Sequence, residues 1–184
     1  MNSFFNKIVT GTAVLALTVT LFSTSSLAAE TGTDITGGDV SLSTVTASSF
    51  GVVTLDGTTQ TVQAPLNTFD VTDARGTGEG WKVSVVAGQF TDSTSGRIMD
   101  AGSLVIDAPA VSLKDDGSSA LTTITQAGGV IDNGTGVKLL SAAVDGGMGS
   151  YTVAPASMTL TLKPGKVYAG NYASTVTVSL TTGP

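Results

Sequence analysis

The strongest constraint on the fold is a two-residue rhythm. After Ala29, apolar and small polar residues alternate in short runs, and turn residues close most of them. Met158, Leu160 and Leu162 alternate with Thr159 and Thr161, while Trp81, Val83 and Val85 alternate with Lys82, Ser84 and Val86. Successive side chains of a strand point to opposite faces, so such runs bury one face and expose the other. Helical spacing is not sustained here, because Gly and β-branched residues interrupt every window. Many short strands between turns predict an all-β fold, a single antiparallel β-sandwich or barrel-like sandwich.

Strands are expected at residues 40–46, 50–55, 59–64, 67–73, 81–86, 102–107, 110–113, 137–142, 150–153, 158–162 and 172–180. Asp56-Gly57 is expected to turn 50–55 back onto 59–64 as a hairpin, since both residues tolerate positive φ. Pro65 is expected to stop the second of these strands. The Gly-rich segment 73–80 reads as a loop joining two paired strands. In the last strand, Tyr172, Ser174, Val176, Val178 and Leu180 share one face. Residues 120–136 carry the weakest pattern, with Leu121, Ile124, Val130 and Ile131 as their large anchors.

The first 28 residues are set apart from the fold. Lys7, the apolar stretch 8–22 and Ser26-Leu27-Ala28 have the charge, length and small-x-small ending of an export signal peptide. The expected domain is therefore 29–184, one domain's length. No cysteine is available for a lipid anchor or a disulfide, and no second apolar stretch or sorting signal follows, so no membrane anchor is expected after cleavage.

Composition also removes chemistries. The chain has no His, which takes away the commonest general base, the commonest zinc ligand and any Ser-His-Asp arrangement. A formal net charge of −6 disfavours nucleic acid, anionic lipid and polyanionic teichoic acid as partners. Asp115-Asp116-Gly117 lacks the alternating acids of a calcium loop and reads as a turn, as does Asp132-Asn133-Gly134-Thr135. Gly76-Thr77-Gly78-Glu79-Gly80 lacks the Lys-Ser/Thr ending of a phosphate loop. Asp70, Asp73 and Glu79 near Trp81 could form a glycosidase pair, but Arg75 among them favours a salt-bridged loop. Trp81 has two open readings: a core aromatic beside Val83 and Val85, or a stacking platform for a sugar. No catalytic residue, metal or cofactor is expected.

The run from Phe69 through Asp73, Arg75, Gly76, Gly78, Gly80 and Trp81-Lys82-Val83 closely resembles the proximal motif of WxL-domain proteins. Those are exported cell-surface proteins of low-GC Gram-positive bacteria. Their pattern passes from a strand ending in Asp, through Arg-Gly-x-Gly-x-Gly, into Trp-x-Leu. The C-terminal part is similar too: Gly147-Met148-Gly149-Ser150-Tyr151, then Gly170-Asn171-Tyr172, then the run to Leu180. Val178-Ser179-Leu180 stands where the family carries its second Trp-x-Leu, and Val83 stands for the first Leu. The resemblance implies non-covalent attachment to the cell wall, with peptidoglycan as the usual ligand, alone or in a complex with other surface proteins. It carries over Trp81 as the first motif residue and places Val178 in the second position without the indole. The alternative expectation is a structural subunit that docks or polymerises through an exposed strand such as 172–180.

Overall fold

The computed structural model describes residues 30–184, and its sheets all belong to residues 35–184. The expected leader, 1–28, lies outside the described residues. Among the described residues the strands are β1 Val40–Leu42, β2 Gln60–Leu66, β3 Phe69–Asp73, β4 Trp81–Ala87, β5 Thr91–Asp92, β6 Leu104–Ile106 and β7 Val111–Leu113. They continue with β8 Ile124–Gln126, β9 Gly129–Val130, β10 Val137–Ala142, β11 Gly149–Val153, β12 Ala156–Leu162, β13 Tyr172–Ala173 and β14 Val176–Thr182. One 3-10 turn, Leu121–Thr123, precedes β8.

The all-β antiparallel class is as expected. Its ladders form three four-stranded sheets, β1-β3-β11-β7, β14-β4-β10-β8 and β2-β12-β6-β9, with a two-stranded ribbon of β13 and β5. The alternating runs point inward on one side. Trp81, Val83 and Val85 of β4, Phe69 and Val71 of β3, and Met158, Leu160 and Leu162 of β12 meet in one apolar core. Each large side chain so removed from water contributes about 1.5–3 kcal/mol. Ile124 and Ile131, in the weakly patterned stretch, are both buried there.

The expected hairpin of residues 50–55 with 59–64 does not form, and register explains why. Ala47 bridges Leu66, the Ser48 amide donates to the Pro65 carbonyl at 2.9 Å, and the Asn67 amide donates to the Thr46 carbonyl at 2.8 Å. That register, continued, would place Phe50 opposite Gln63 and Val52 opposite Thr61, on the outward face of β2. Residues directly opposite share a face, so Phe50 would leave the interior. Instead Phe50 turns in against Phe90, with ring centroids 5.8 Å apart in an edge-on arrangement. Phe50 thus keeps its contact, and the ladder ends at Ser48.

Pro65 does not stop its strand. It lies within β2, an edge strand, opposite Ser157. The Ser157 carbonyl accepts from Asp107 on the far side of β12, so this is a pair whose main-chain groups point away from each other. The N–H that proline lacks would have pointed away from β12, off the outer edge of β2 and toward Ser48, whose amide donates to the Pro65 carbonyl.

The same phase puts the main-chain N–H and C=O of Thr61 and Gln63 on that edge. Alternating hydrogen exchange is therefore expected along β2. The Val62 and Ala64 amides, paired with β12, should be protected, while those of Thr61 and Gln63 exchange at rates near those of a free chain. Protection at Thr61 and Gln63 in an NMR exchange experiment would contradict this register.

Two connections also differ from expectation. Segment 73–80 joins β3 to β4, which belong to different sheets and do not pair. The run 172–180 is broken at Ser174 and Thr175. Tyr172 pairs with Asp92 in the ribbon, whereas the Thr175 carbonyl accepts from Gly88 and leads β14 along β4.

Candidate functional site

The crossing from β3 to β4 is held by one arginine. The last inward residue of β3 is Asp73, which is buried. Arg75 donates to both its oxygens, Nε to Oδ1 at 2.9 Å and Nη2 to Oδ2 at 2.8 Å. The same guanidinium donates to the Gly80 carbonyl at 2.8 Å, to Glu79 Oε2 at 3.0 Å and to Thr182 Oγ1 at 3.3 Å. Five donors in a fixed planar fork suit such a junction, and a lysine could not span it. Two further bonds close the loop: the Asp145 amide donates to the Gly78 carbonyl at 2.7 Å and the Gly183 amide to that of Gly80 at 3.1 Å. At Gly80, φ is +72° and a Cβ would lie 2.5 Å from the Ala142 carbonyl, so only glycine passes there. Ala74, Gly76, Thr77 and Glu79 remain exposed, while Gly78 and Gly80 are buried.

Trp81 follows at the start of β4 and is fully buried. Its Nε1–H donates to the Gly147 carbonyl at 2.8 Å, and its ring lies 6.1 Å from that of Tyr151, tilted by 53°. The Tyr151 hydroxyl lies 2.9 Å from the carbonyl oxygens of both Ser119 and Met148. Gly147 has φ +69°, and a Cβ on it would fall 2.3 Å from Ala142 Cβ and 2.7 Å from Trp81 Nε1. Of the two open readings of Trp81, the structure has the core one, and the indole presents no open face to a sugar.

The residues singled out in the sequence fall into two groups. Asp73, Arg75, Gly76, Gly78, Gly80, Trp81, Lys82 and Val83 are continuous with the loop, with Val83 buried and Lys82 on the opposite, half-exposed face. β14 lies directly beside β4, pairing Leu180 with Val83, Val178 with Val85 and Thr182 with Trp81. The two triplets thus share one sheet, with Val178 and Leu180 half-buried at its edge. Tyr172 is not brought to the loop; it lies in the ribbon beyond the other end of β4 and β14. Nor does Asp70 join the acid cluster, since it pairs with Lys114 and accepts from Thr152 Oγ1 at 2.8 Å. Gly147, Tyr151, Asp145 and Thr182 complete the site without having been assigned to it. The available signal was a glycine-rich turn beside one tyrosine in a chain with a single tryptophan.

Burial pushes the Asp73 carboxyl up, but the hydrogen bonds and charge of Arg75 outweigh it and hold the group below its ordinary value. Lys114 and Thr152 lower Asp70, and Ser95 lowers Asp92. A carboxylate lowered in the folded state stabilises fully above its unfolded pKa, and that contribution is lost as pH falls through the folded value. Burial raises the Tyr151 hydroxyl, so its contribution is lost on the alkaline side instead. Thermal unfolding followed by circular dichroism is expected to show a plateau from about pH 5 to 9, a fall in Tm below about pH 4 and a second fall above about pH 10. A Tm that rises on acidification below that plateau would contradict these ion pairs.

A family model described as WxL domain surface cell wall-binding matches residues 25–184. No match is found among curated proteins or among solved structures.

Proposed function

Because the chain belongs to the WxL family of surface cell wall-binding domains, we propose that it is an exported, non-catalytic protein that holds non-covalently to peptidoglycan at the surface of a Gram-positive bacterium. The observation that carries this reading is the rigid presentation of residues 74–79. Trp81 anchors the loop from below, Arg75 ties both its ends, and its exposed backbone and the Thr77 and Glu79 side chains face outward. Preorganised polar surface of this kind binds with little ordering cost. Trp81 and Arg75 act here as positioning residues and do not themselves touch the wall. The absence of His and Cys and the engagement of Asp73 in an ion pair support a role without bond cleavage.

Isolated cell walls sedimented with the purified chain test the role of the loop. Wild type is expected in the pellet, and the exposed-loop variant Thr77→Ala with Glu79→Ala, checked for native circular dichroism, is expected to lose roughly tenfold in affinity. Equal retention of a folded loop variant would remove the loop from the binding surface.

Assembly through a strand edge is the second reading, favoured by β14, which is an uncharged edge strand. Its outer side, however, faces residues 42–47 across a narrow cleft, and β1 packs beside it. A second copy would have to displace that segment, so wall attachment is the better-supported reading.

A further inference from the structure

At the end of β4 and β14 away from the loop, the sheets part around a half-open cavity of about 990 Å³. Its floor is core: Val62 of β2, Leu160 and Leu162 of β12, with Phe90 and Met99 behind them. Residues 47–55 wall one side and residues 167–174 the other, and among the described residues no charged side chain lines it. Three exposed apolar residues stand on its rim, Val52, Leu55 and Tyr168. The Arg97 guanidinium lies 3.9 Å from the Tyr168 ring centroid, and exposed Ile98 adjoins it in sequence.

We infer that this cavity, together with the edge of β2 at Thr61 and Gln63, which has no main-chain partner among the described residues, is a docking site for an uncharged, extended segment of a partner protein whose alternate apolar side chains fill the floor. Three features select that occupant. The described lining carries no charge, and the Arg97 guanidinium at the rim is already stacked on Tyr168, so a charged ligand finds no counter-ion inside the cavity. The hydroxyl and amide side chains of the lining lie on its two walls, Ser48, Ser49 and Thr54 on one and Asn171 and Ser174 on the other, so the methionine and leucine floor leaves the hydroxyls of a glycan seated on it unpaired. The main-chain groups of Thr61 and Gln63, which flank Val62 and point off β2, are matched by another main chain and have no use for an acyl chain. The turn of Phe50 into the core, which ends the native ladder at Ser48, is what leaves those groups without a main-chain partner among the described residues. The site is distinct from the loop before Trp81, separated from it by the length of β4, roughly 20 Å for seven residues.

Methyl-labelled methionine provides the test, since Met99 and Met158 line the cavity whereas Met148 lies at the Trp81 end. The probe is a capped, uncharged peptide of about eight residues alternating Val or Leu with Thr. Titrated into the purified chain, it is expected to shift the Met99 and Met158 methyl signals to saturation, leave Met148 in place and protect the Thr61 and Gln63 amides. Val52→Glu, a change at a fully exposed rim residue, is expected to weaken binding roughly tenfold, while Val144→Glu, exposed elsewhere, leaves it unchanged. Absence of any shift at millimolar peptide would overturn the proposal. So would equal binding of the peptide with its amides methylated, or saturable shifts from a chitin oligosaccharide or an alkyl maltoside in place of the peptide. Retention on walls is read separately and bears on none of these outcomes.

Discussion

Trp81→Ala is expected to lower folding stability by about 3–5 kcal/mol, the cost of deleting a large aromatic from a core that cannot collapse around the void. The residue is fully buried, and its loss also orphans the Gly147 carbonyl and the edge of Tyr151. For a domain whose whole stability is on the order of 5–15 kcal/mol, that is a major fraction. Trp81→Phe separates the two contributions. It keeps most of the ring but removes the donor, and is expected to cost about 1–3 kcal/mol. Urea denaturation followed by far-ultraviolet circular dichroism measures both, since the single tryptophan's fluorescence disappears with the substitution. A Trp81→Ala chain as stable as wild type would show that the indole is not the anchor of this end of the sheet.

Arg75→Ala is the second large effect. The Asp73 side chain is 1% exposed and its arginine partner 12%. Removing one member of such a pair leaves an uncompensated buried charge, at a cost of about 3–5 kcal/mol. The loss should shrink in acid, where Asp73 takes up a proton and no longer needs a counter-charge. It should also shrink in the double variant with Asp73→Asn, so the cycle returns a coupling energy well above zero. Arg75→Lys keeps the charge but not the two-pronged geometry and is expected to fall between. Glu79, 57% exposed, is the internal contrast: Glu79→Gln is expected within about 0.5 kcal/mol of wild type. Equal effects at Arg75 and Glu79 would mean that the buried half of the network contributes no more than its solvated half.

Strands whose inward residues alternate cleanly were legible in the sequence. Trp81, Val83 and Val85, and Met158, Leu160 and Leu162, take the faces their spacing predicts. Residues 50–55 misled because propensity is local and register is not. Phe-Gly-Val-Val-Thr-Leu before Asp-Gly has every mark of a hairpin arm, yet the bridge at Ala47 fixes a phase in which Phe50 would face solvent. Nothing within the segment encodes that phase. The glycines of loop 73–80 report backbone freedom and not which sheet the next strand enters, so the expected pairing of the flanking strands has no local basis. The salt-bridged reading of Arg75 was legible, since only one cation stands among three nearby acids. That Asp70 pairs with Lys114 depends on β7 lying across β11 from β3 and could not be read locally.

Asp132 shows a different limit. In the sequence it opens a turn, Asp-Asn-Gly-Thr. In the fold it is buried and accepts from the amides of Gly102, Ser103 and Leu104 at 2.9, 3.0 and 3.1 Å. Three main-chain donors from another segment compensate its burial, and they converge only once β6 and β9 have paired. The partner of Trp81 is similar. A glycine-rich turn at 146–149 reads as slack, but a Cβ at Gly147 would collide with Ala142 and with Trp81 Nε1, so the turn is packed tightly against the indole.

The central claim is adhesion without turnover, and co-sedimentation with purified murein, stripped of protein and teichoic acid, tests it most directly. The chain is expected to saturate the pellet and to be retained across a range of salt, while the supernatant gains no soluble muropeptides. A chain that stays in the supernatant, or one that releases fragments as it binds, would contradict the account.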